Sequence, residues 1–204
     1  MMTIIYTSMG EAEAGMKVSR DQMQANRLRI LEEASRLFRA RGFDAVGVAE
    51  VMQAAGLTHG GFYGHFKSKE DLFAKSVAYV FSPVTAGPVE PLDIRAFLTG
   101  YLSPAHRTDA AGGCPTAALG ADIQRQSTPA RAAMTEGVRA QLKRVASTLS
   151  DDASAQSRRD ATGVWATMVG ALLLSRAVED EAFGNQILSD AHAWLEARVD
   201  TLPR

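Results

Sequence analysis

The segment Gly42–Phe73 constrains the fold of this chain more than any other part of its sequence. It reads GFDAVGVAEVMQAAGLTHGGFYGHFKSKEDLF. This short stretch contains a helix stop, a short helix, a glycine-bearing turn, a second short helix and a new helix start. Two short helices joined by a tight turn with a Gly are the pattern of a helix-turn-helix, whose second helix can enter a DNA major groove.

The residues around this segment predict further helices. Ser19 is a suitable N-cap for a helix over 20–41, whose apolar positions Ile30, Ala34 and Phe38 share one face. Gly42 follows at the position where a glycine ends many helices. Ser68 with Asp71 three residues later resembles a capping box. We therefore expect helices over 20–41, 48–55, 59–65 and from Ser68 to about residue 81.

The rest of the chain also has the spacing of helices, and alternation typical of strands is absent. The fold class predicted is all-α, with an N-terminal three-helix helix-turn-helix domain and a C-terminal helical ligand-binding and dimerisation domain. Residues 1–16 are expected to form a disordered leader, 17–81 the first domain with its motif at about 47–66, and 82–204 the second. Helices are expected at 92–102, 115–126, 129–149, 155–179 and 181–202, with loops at 82–91 and 103–113.

Composition excludes several classes of protein. Cys114 is the only cysteine, so neither an intrachain disulfide nor a cysteine-based zinc site can form. No apolar run approaches the length of a membrane span, and no secretory signal is present, so we expect a cytoplasmic protein without a membrane partner. The four histidines lack metal-ligand spacing, and no phosphate loop or nucleophile elbow occurs. We expect no enzyme activity, no metal and no cofactor.

The motif residues carry a resemblance to a known family. The chain is similar to the DNA-binding domain of TetR/AcrR-type transcriptional regulators over about 20–80. The matching positions are Gly42, Phe43, Val51, Ala54, Ala55, Gly56, Leu57, Thr58, Gly60, Phe62, Tyr63, His65, Phe66, Lys67, Ser68, Lys69, Glu70 and Leu72. The resemblance implies an all-α fold, a DNA-binding N-terminal domain, and a C-terminal domain that binds a small effector and dimerises.

Four residues of the motif are expected to contact DNA phosphates. Thr58 offers its hydroxyl at a helix start, Tyr63 combines a packed ring with a hydroxyl, and His65 lies at the end of the second motif helix. Lys69 adds an ammonium to another helix start. The alternatives are a core role for Tyr63 or Phe66, a C-cap role for His65 and a solvated surface role for Lys69.

Base reading is expected from His59 and from the exposed side of Gly60 and Gly61. Gly47 stands where the family usually has a Ser or Thr cap, and Val48 either touches a thymine methyl or packs in the local core. Gly60, Gly61 and Gly64 make the second motif helix intrinsically weak, because each glycine costs roughly 0.5–1 kcal/mol relative to Ala. Our hypothesis is that DNA partly orders this helix and that DNA shape contributes to specificity.

The C-terminal part has two features of interest. Cys114 precedes Pro115 at an expected helix start, a place that raises the reactivity of a thiol, so it is either a sensing thiol or a small buried residue. The last two long helices, at about 155–179 and 181–202, have apolar faces suited to a four-helix dimer interface. An effector pocket is expected to be lined by Phe97, Tyr101, Cys114, Leu119, Met134, Trp165 and Met168.

These expectations combine into one function. The chain is expected to bind a palindromic double-stranded DNA operator as a homodimer, and to act as a repressor released by an unknown small-molecule effector or by modification of Cys114. An activator of the same architecture and a non-DNA-binding helical adaptor or enzyme are the alternatives.

Overall fold

The computed structural model of the protein describes residues 19–82, 93–150 and 154–201. Every regular element in these three ranges is helical. The predicted leader at 1–16 and most of the predicted loop at 82–91 lie outside the described residues. Among the helices of the described ranges, none is long and apolar enough to cross a membrane.

The first helix, α1, spans Arg20–Arg41 and coincides with the helix expected from its caps. The Ser19 hydroxyl accepts a hydrogen bond from the Gln22 amide, which satisfies one of the free N–H groups at the helix start. At the other end, the Gly42 amide donates to the Phe38 carbonyl at 2.8 Å with a φ of 77°. This left-handed backbone conformation explains why the helix stops at a glycine.

The helix-turn-helix consists of α2 at Val48–Ala54 and a 3₁₀ helix at His59–Gly64. The turn between them is a Schellman motif: Gly56 donates to the Gln53 carbonyl and Leu57 donates to the Met52 carbonyl. Gly56 has a φ of 68°, which a residue with a side chain rarely adopts. The second motif helix was expected over 59–65. It is a shorter 3₁₀ helix, consistent with the low helix propensity of its three glycines.

Helix α3 spans Lys69–Val80. The Ser68 hydroxyl accepts from the Asp71 amide at 3.2 Å, and the Asp71 carboxylate accepts from the Lys67 amide at 3.0 Å. Lys75 adds an ion pair to the same carboxylate at 2.7 Å. These contacts fix the direction in which the chain leaves the helix-turn-helix.

Six helices follow in the described ranges after residue 92. They are α4 at Ile94–Tyr101, α5 at Pro104–Thr108, α6 at Pro115–Ile123, α7 at Thr128–Leu149, α8 at Ala155–Ala177 and α9 at Glu181–Asp200. The prediction of a loop over 103–113 was wrong in part, because α5 lies within it. The Ser103 hydroxyl caps α5 by accepting from the His106 amide, and Pro104 occupies the first turn.

The first of two hydrophobic cores joins α1–α3 to α6 and α7. Phe38, Phe43 and Phe73 form an aromatic cluster with ring centroids 5.0–6.0 Å apart. Leu119 of α6 and Met134 of α7 are buried in the same core. The motif helices therefore rest on a support that includes helices from the second half of the chain.

The second core lies among α4 and α6–α9. Its fully buried side chains include Leu98, Met168, Leu172 and Leu195. Helix α8 packs against both α7 and α9. At the α8–α9 contact, a Cβ on Gly184 would lie 2.8 Å from the Ser175 carbonyl oxygen, so a glycine allows the two helices to approach closely.

Candidate functional site

The 3₁₀ helix presents an aromatic side chain to solvent. Tyr63 is 72% exposed, whereas its neighbour Phe62 is 1% exposed and anchors the helix in the first core. The two rings meet edge to face at 5.2 Å. A core role for Tyr63 is therefore excluded. Phe66, for which a core role was the alternative, is 2% exposed.

The start of the 3₁₀ helix is also open. Thr58 occupies the N-cap position and is exposed, yet its side chain makes no capping hydrogen bond. An exposed hydroxyl without a capping bond at a helix start suits a phosphate oxygen. Exposed His59 follows, and a Cβ on Gly60 would meet no atom within 4 Å.

The other two glycines of the 3₁₀ helix are not required by packing. A Cβ on Gly61 would lie 3.7 Å from the Met52 methyl, and one on Gly64 would lie 4.0 Å from the Met23 methyl, both ordinary contacts. Neither has a positive φ. Folding geometry alone therefore does not explain why three positions on this surface lack side chains.

The end of the 3₁₀ helix is held by Arg27 of α1. Its guanidinium donates to the His65 carbonyl and lies 4.4 Å from the centroid of the Phe66 ring. His65 occupies the C-cap position and is half-buried. Burial, followed by the nearby Arg27 charge, lowers the pKa of His65, so the ring is predominantly neutral near pH 7.

Lys69, Gly47 and Val48 lie around the motif in different environments. The Lys69 ammonium lies 4.3 Å from the centroid of the Phe43 ring, a cation–π contact at the start of α3. Gly47 is the exposed N-cap of α2 and offers no side-chain hydrogen bond. Val48 is half-buried and packs against the first core.

A second cluster of polar groups surrounds Cys114, which is the N-cap of α6 and is half-buried. The Cys114 amide donates to Nε2 of His106 at 2.9 Å, and Nδ1 of the same ring lies 2.7 Å from the Tyr101 carbonyl. Because an amide can only donate and a carbonyl can only accept, Nδ1 carries the proton of the neutral ring. Burial lowers the His106 pKa and thus favours this form.

Two arginines adjoin the same thiol. Arg176 of α8 donates to the His106, Arg107 and Asp109 carbonyls, and it interacts electrostatically with Tyr101 and Cys114. Arg39 of α1 donates to the Gly113 carbonyl at 2.8 Å, next to Cys114. The Cys114 segment is therefore directly bonded to a helix of the DNA-binding half.

The structure does not bring all seven predicted pocket residues together. Leu119 and Met134 belong to the first core, whereas the others lie in or against the second. Aromatic rings link part of this second group: Tyr101 and Trp165 lie 5.5 Å apart, and Phe97 and Trp165 lie 6.4 Å apart. The second group consists of Phe97, Tyr101, Cys114, Trp165 and Met168.

Sequence reasoning missed Arg27, Arg39, His106 and Arg176. The three arginines act through contacts with residues distant in sequence, such as the pairs Arg27–His65 and Arg39–Gly113. His106 bonds Tyr101 and Cys114, which lie five and eight residues away in separate elements. No local motif signals such contacts. Within the ranges that the structure describes, no three His, Cys, Asp or Glu side chains are placed to hold a metal ion.

The comparisons with known proteins agree with this architecture. Residues 30–75 match the family described as bacterial regulatory proteins, tetR family, and residues 92–189 match a tetracyclin repressor-like C-terminal domain. The HTH-type transcriptional regulator AcrR of Shigella flexneri is 40% identical over 57 residues, 28% of this chain and 26% of that protein. An HTH-type transcriptional repressor of Mycobacterium tuberculosis is also 40% identical over 57 residues, 28% of this chain and 30% of that protein.

The match to these curated relatives thus spans less than a third of their length. A crystal structure of a TetR transcriptional regulator from Chloroflexus aurantiacus extends the likeness to both halves of the chain. It superimposes with a TM-score of 0.71 at 25% identity and covers 89% of this chain and 98% of that one. The two family matches, the helix-turn-helix and the helical C-terminal half together show that the chain belongs to the TetR/AcrR family of transcriptional regulators, which is not a family of enzymes.

Proposed function

We propose that this protein represses transcription from a palindromic DNA operator, which it binds as a homodimer in the cytoplasm. In this proposal a small molecule, or modification of Cys114, releases it from DNA. The observation that carries the proposal is that one helix offers two hydroxyl groups for a DNA contact. Tyr63 is 72% exposed, and the Thr58 hydroxyl at the start of the helix makes no capping hydrogen bond. One curated relative is named a transcriptional repressor, which favours repression over activation.

The exposed position of Tyr63 supports DNA contact because an aromatic ring in water contributes little to folding. Its buried neighbour Phe62 fixes the backbone, so the phenol is held in place without being covered. A phenol hydroxyl is a good donor to a phosphate oxygen.

Other groups of the motif complete the proposed contact. Lys69 and His65 would lie near phosphates at the far end of the 3₁₀ helix, with Gly47 and Val48 at the start of α2. His59 would read a base edge, and the bare surface at Gly60 and Gly61 would allow the backbone to come close to DNA. With so few side chains available, sequence-dependent DNA shape would supply part of the specificity.

The proposed dimer uses exposed apolar side chains of α8 and α9. Leu174, Phe183 and Trp194 are 55%, 51% and 57% exposed, which is unusual for side chains of this size. On α8, a Cβ on Gly163 or Gly170 would meet no atom within 4 Å. A second copy could therefore approach this helix closely, and a two-fold axis would match a palindromic operator.

The route from effector to DNA would pass through the Cys114 segment. Arg39 bonds the Gly113 carbonyl, and a Cβ on Gly42 at the end of α1 would lie 2.8 Å from the Asp122 carboxylate of α6. A change in the start or the end of α6 would thus reach α1 directly. The resulting movement of α1 would displace the two 3₁₀ helices of a dimer from the spacing of the DNA repeat.

Fluorescence anisotropy with a duplex from upstream of the protein's own gene tests DNA binding. Tyr63→Phe removes only the hydroxyl and should weaken binding about tenfold or more, because a hydrogen bond to a charged group is lost. It should leave the salt dependence unchanged. Lys69→Gln should lower the salt slope by about one, since one fewer counterion is released.

Thr58→Ala and Thr135→Ala form a matched pair for the same assay. Thr135 is an exposed threonine of α7, far along the chain from the motif, and its hydroxyl bonds the Arg131 carbonyl. Only Thr58→Ala should weaken DNA binding. Equal affinities for Tyr63→Phe, Thr58→Ala and the unchanged protein would contradict the proposed interface.

The dimer and its release are tested separately. Leu174→Glu should convert the dimer to a monomer in light scattering, whereas the exposed Arg159→Glu on the same helix should not. N-ethylmaleimide should release DNA from the unchanged protein but not from Cys114→Ser if the thiol is the trigger. Release of DNA from neither protein would leave the small-molecule route as the one supported.

A further inference from the structure

A groove of about 550 Å³ lies between the end of α6 and the first half of α7. Its lining includes Ile123 and Gln124 from the end of α6, and Arg131, Met134 and Val138 from α7. None of the aromatic rings of the second core lines this α6–α7 groove. Its volume lies within the range of small-molecule sites, about 300–1,000 Å³, so it has room for one small ligand.

The floor of the α6–α7 groove is apolar. Ile123 and Met134 are 8% and 7% exposed and belong to the first core, and half-buried Val138 packs against that core. Arg131, Met134 and Val138 lie three and four residues apart, so they share one face of α7. The same helix face thus offers an apolar surface for the body of a ligand and a charged group beside it.

The rim of the α6–α7 groove carries a surplus of positive charge. Arg131 and Arg139 are both exposed. Arg139 forms an ion pair with Glu136 at 2.7 Å, and because both side chains are at least 70% exposed this pair is weak. Within the described ranges, no acidic side chain pairs with Arg131. Two guanidinium groups against one carboxylate favour an anionic ligand, which the planar fork of Arg131 can bind through two hydrogen bonds.

The α6–α7 groove adjoins the contacts that join the second half of the chain to the DNA-binding helices. Ile123 is the last residue of α6, and the carboxylate of the preceding Asp122 lies 2.8 Å from the place where a Cβ on Gly42 would be, at the end of α1. Met134 is buried in the same core as Phe62 of the 3₁₀ helix. A ligand that moves the end of α6 would therefore act on both the end of α1 and the support of the 3₁₀ helix.

We propose that the α6–α7 groove binds a small amphipathic anion and that binding lowers the affinity for DNA through α6. The acidic group of the ligand lies on Arg131, and its apolar body lies against Ile123, Met134 and Val138. This inference rests on the proposed ligand response, to which it gives a site and a chemical class. An uncharged molecule with the same apolar body binds more weakly, because it lacks the group that Arg131 holds.

Fluorescence titration of the full chain with two matched dyes tests the chemical class. Anilinonaphthalene sulfonate is an amphipathic anion, and phenylnaphthylamine is the same molecule without the sulfonate; both brighten in apolar surroundings. The sulfonate should bind about tenfold more tightly, because hydrogen bonds to a charged group are lost in the uncharged dye. Equal affinities would overturn the anion assignment. The absence of saturable sulfonate binding at millimolar concentration would overturn the site.

A pair of arginine variants locates the site. Arg131→Gln should lower the affinity for the sulfonate about tenfold and leave that for phenylnaphthylamine unchanged. Arg159→Gln is the matched control on α8, where the exposed arginine bonds Gln156 of its own helix, and it should change neither affinity. Both arginines are exposed, so neither variant should alter the melting temperature. Equal effects of the two substitutions on sulfonate binding would show that the dye binds elsewhere and would overturn the site.

A third variant should act in the opposite direction. Glu136→Gln removes the carboxylate that pairs with Arg139, so the rim becomes more positive. The affinity for the sulfonate should rise about two- to threefold, the size expected for an exposed charge pair, while that for phenylnaphthylamine stays the same. Unchanged or weaker sulfonate binding would contradict the role of the cationic rim.

DNA anisotropy with and without the sulfonate distinguishes this inference from the proposed function. The sulfonate should weaken DNA binding by the unchanged protein and should have less effect on Arg131→Gln at the same concentration. Sulfonate binding that depends on Arg131 but leaves the DNA affinity unchanged would support the site and overturn the coupling through α6. DNA binding by a protein that does not bind the sulfonate would overturn the groove alone. A protein that binds the sulfonate through Arg131 but binds no DNA would contradict the proposed function and leave the site supported.

Discussion

The glycines of the helix-turn-helix should respond to alanine substitution with opposite signs. A Cβ would meet nothing within 4 Å at either Gly56 or Gly60, so added volume is harmless at both positions. The backbone differs: Gly56 has a φ of 68°, whereas Gly60 is not among the positive-φ residues. Packing is thus matched between the two variants, and only the backbone conformation distinguishes them.

The expected magnitudes follow from the backbone. Gly60→Ala should raise the free energy of unfolding by about 0.5 kcal/mol, because the unfolded chain loses conformational freedom. Gly56→Ala should lower it by about 1 kcal/mol, because a left-handed alanine costs roughly 1–2 kcal/mol. For a chain of this length, the melting temperatures should differ by about 3–6 °C. Gly64→Ala should behave like Gly60→Ala, since its Cβ would lie 4.0 Å from the Met23 methyl.

Urea unfolding followed by circular dichroism at a fixed protein concentration measures these effects. DNA anisotropy on the same samples adds a second readout: Gly60→Ala should weaken operator binding although it stabilises the fold, because the methyl group would hold the backbone away from DNA. A marked loss of stability in Gly60→Ala or Gly64→Ala, or a stable Gly56→Ala, would refute the argument from backbone conformation.

Two further substitutions test the packing and the buried histidine. Gly137→Ala should destabilise the protein by about 1–3 kcal/mol, because its Cβ would lie 2.2 Å from the Phe81 ring. Gly120→Ala on α6 is the control, since a Cβ there would meet no atom within 4 Å and should not destabilise the protein. Urea unfolding of both variants measures the difference. Burial lowers the pKa of His106 in the folded protein, so the unfolded state binds a proton at this residue more readily. Lowering the pH from about 7 to about 5 should therefore reduce the free energy of unfolding. His106→Gln should have a flatter pH profile in thermal melts, and an unchanged profile would refute this assignment.

Sequence alone predicted those parts of the fold that depend on neighbouring residues. Ser19 and Ser68 cap the starts of α1 and α3, and their hydroxyls accept hydrogen bonds from amides three residues ahead. The same local logic applies to α5, where Ser103 precedes Pro104, but the helix has only five residues and lacks an apolar stripe. Its sequence therefore resembles that of a loop.

The 3₁₀ geometry and the polar cluster around Cys114 required the structure. Three glycines indicate a weak helix but do not specify its hydrogen-bond pattern. This cluster draws Tyr101 from α4, His106 from α5, Arg176 from α8 and Cys114 from the start of α6. Such a site depends on how four helices pack, and no spacing along the chain encodes it.

Because the two halves of the chain share the first core, the DNA-binding helices cannot simply be separated from the second half or exchanged. Leu119, Ile123, Ala130 and Met134 complete the hydrophobic surroundings of the motif helices. A fragment ending after α3 would leave Phe73 and its neighbours partly uncovered, so it should be less stable than its helix content suggests. A chimera that joins this DNA-binding domain to another C-terminal domain must therefore include α6 and the first half of α7. The exchangeable unit is thus discontinuous in sequence.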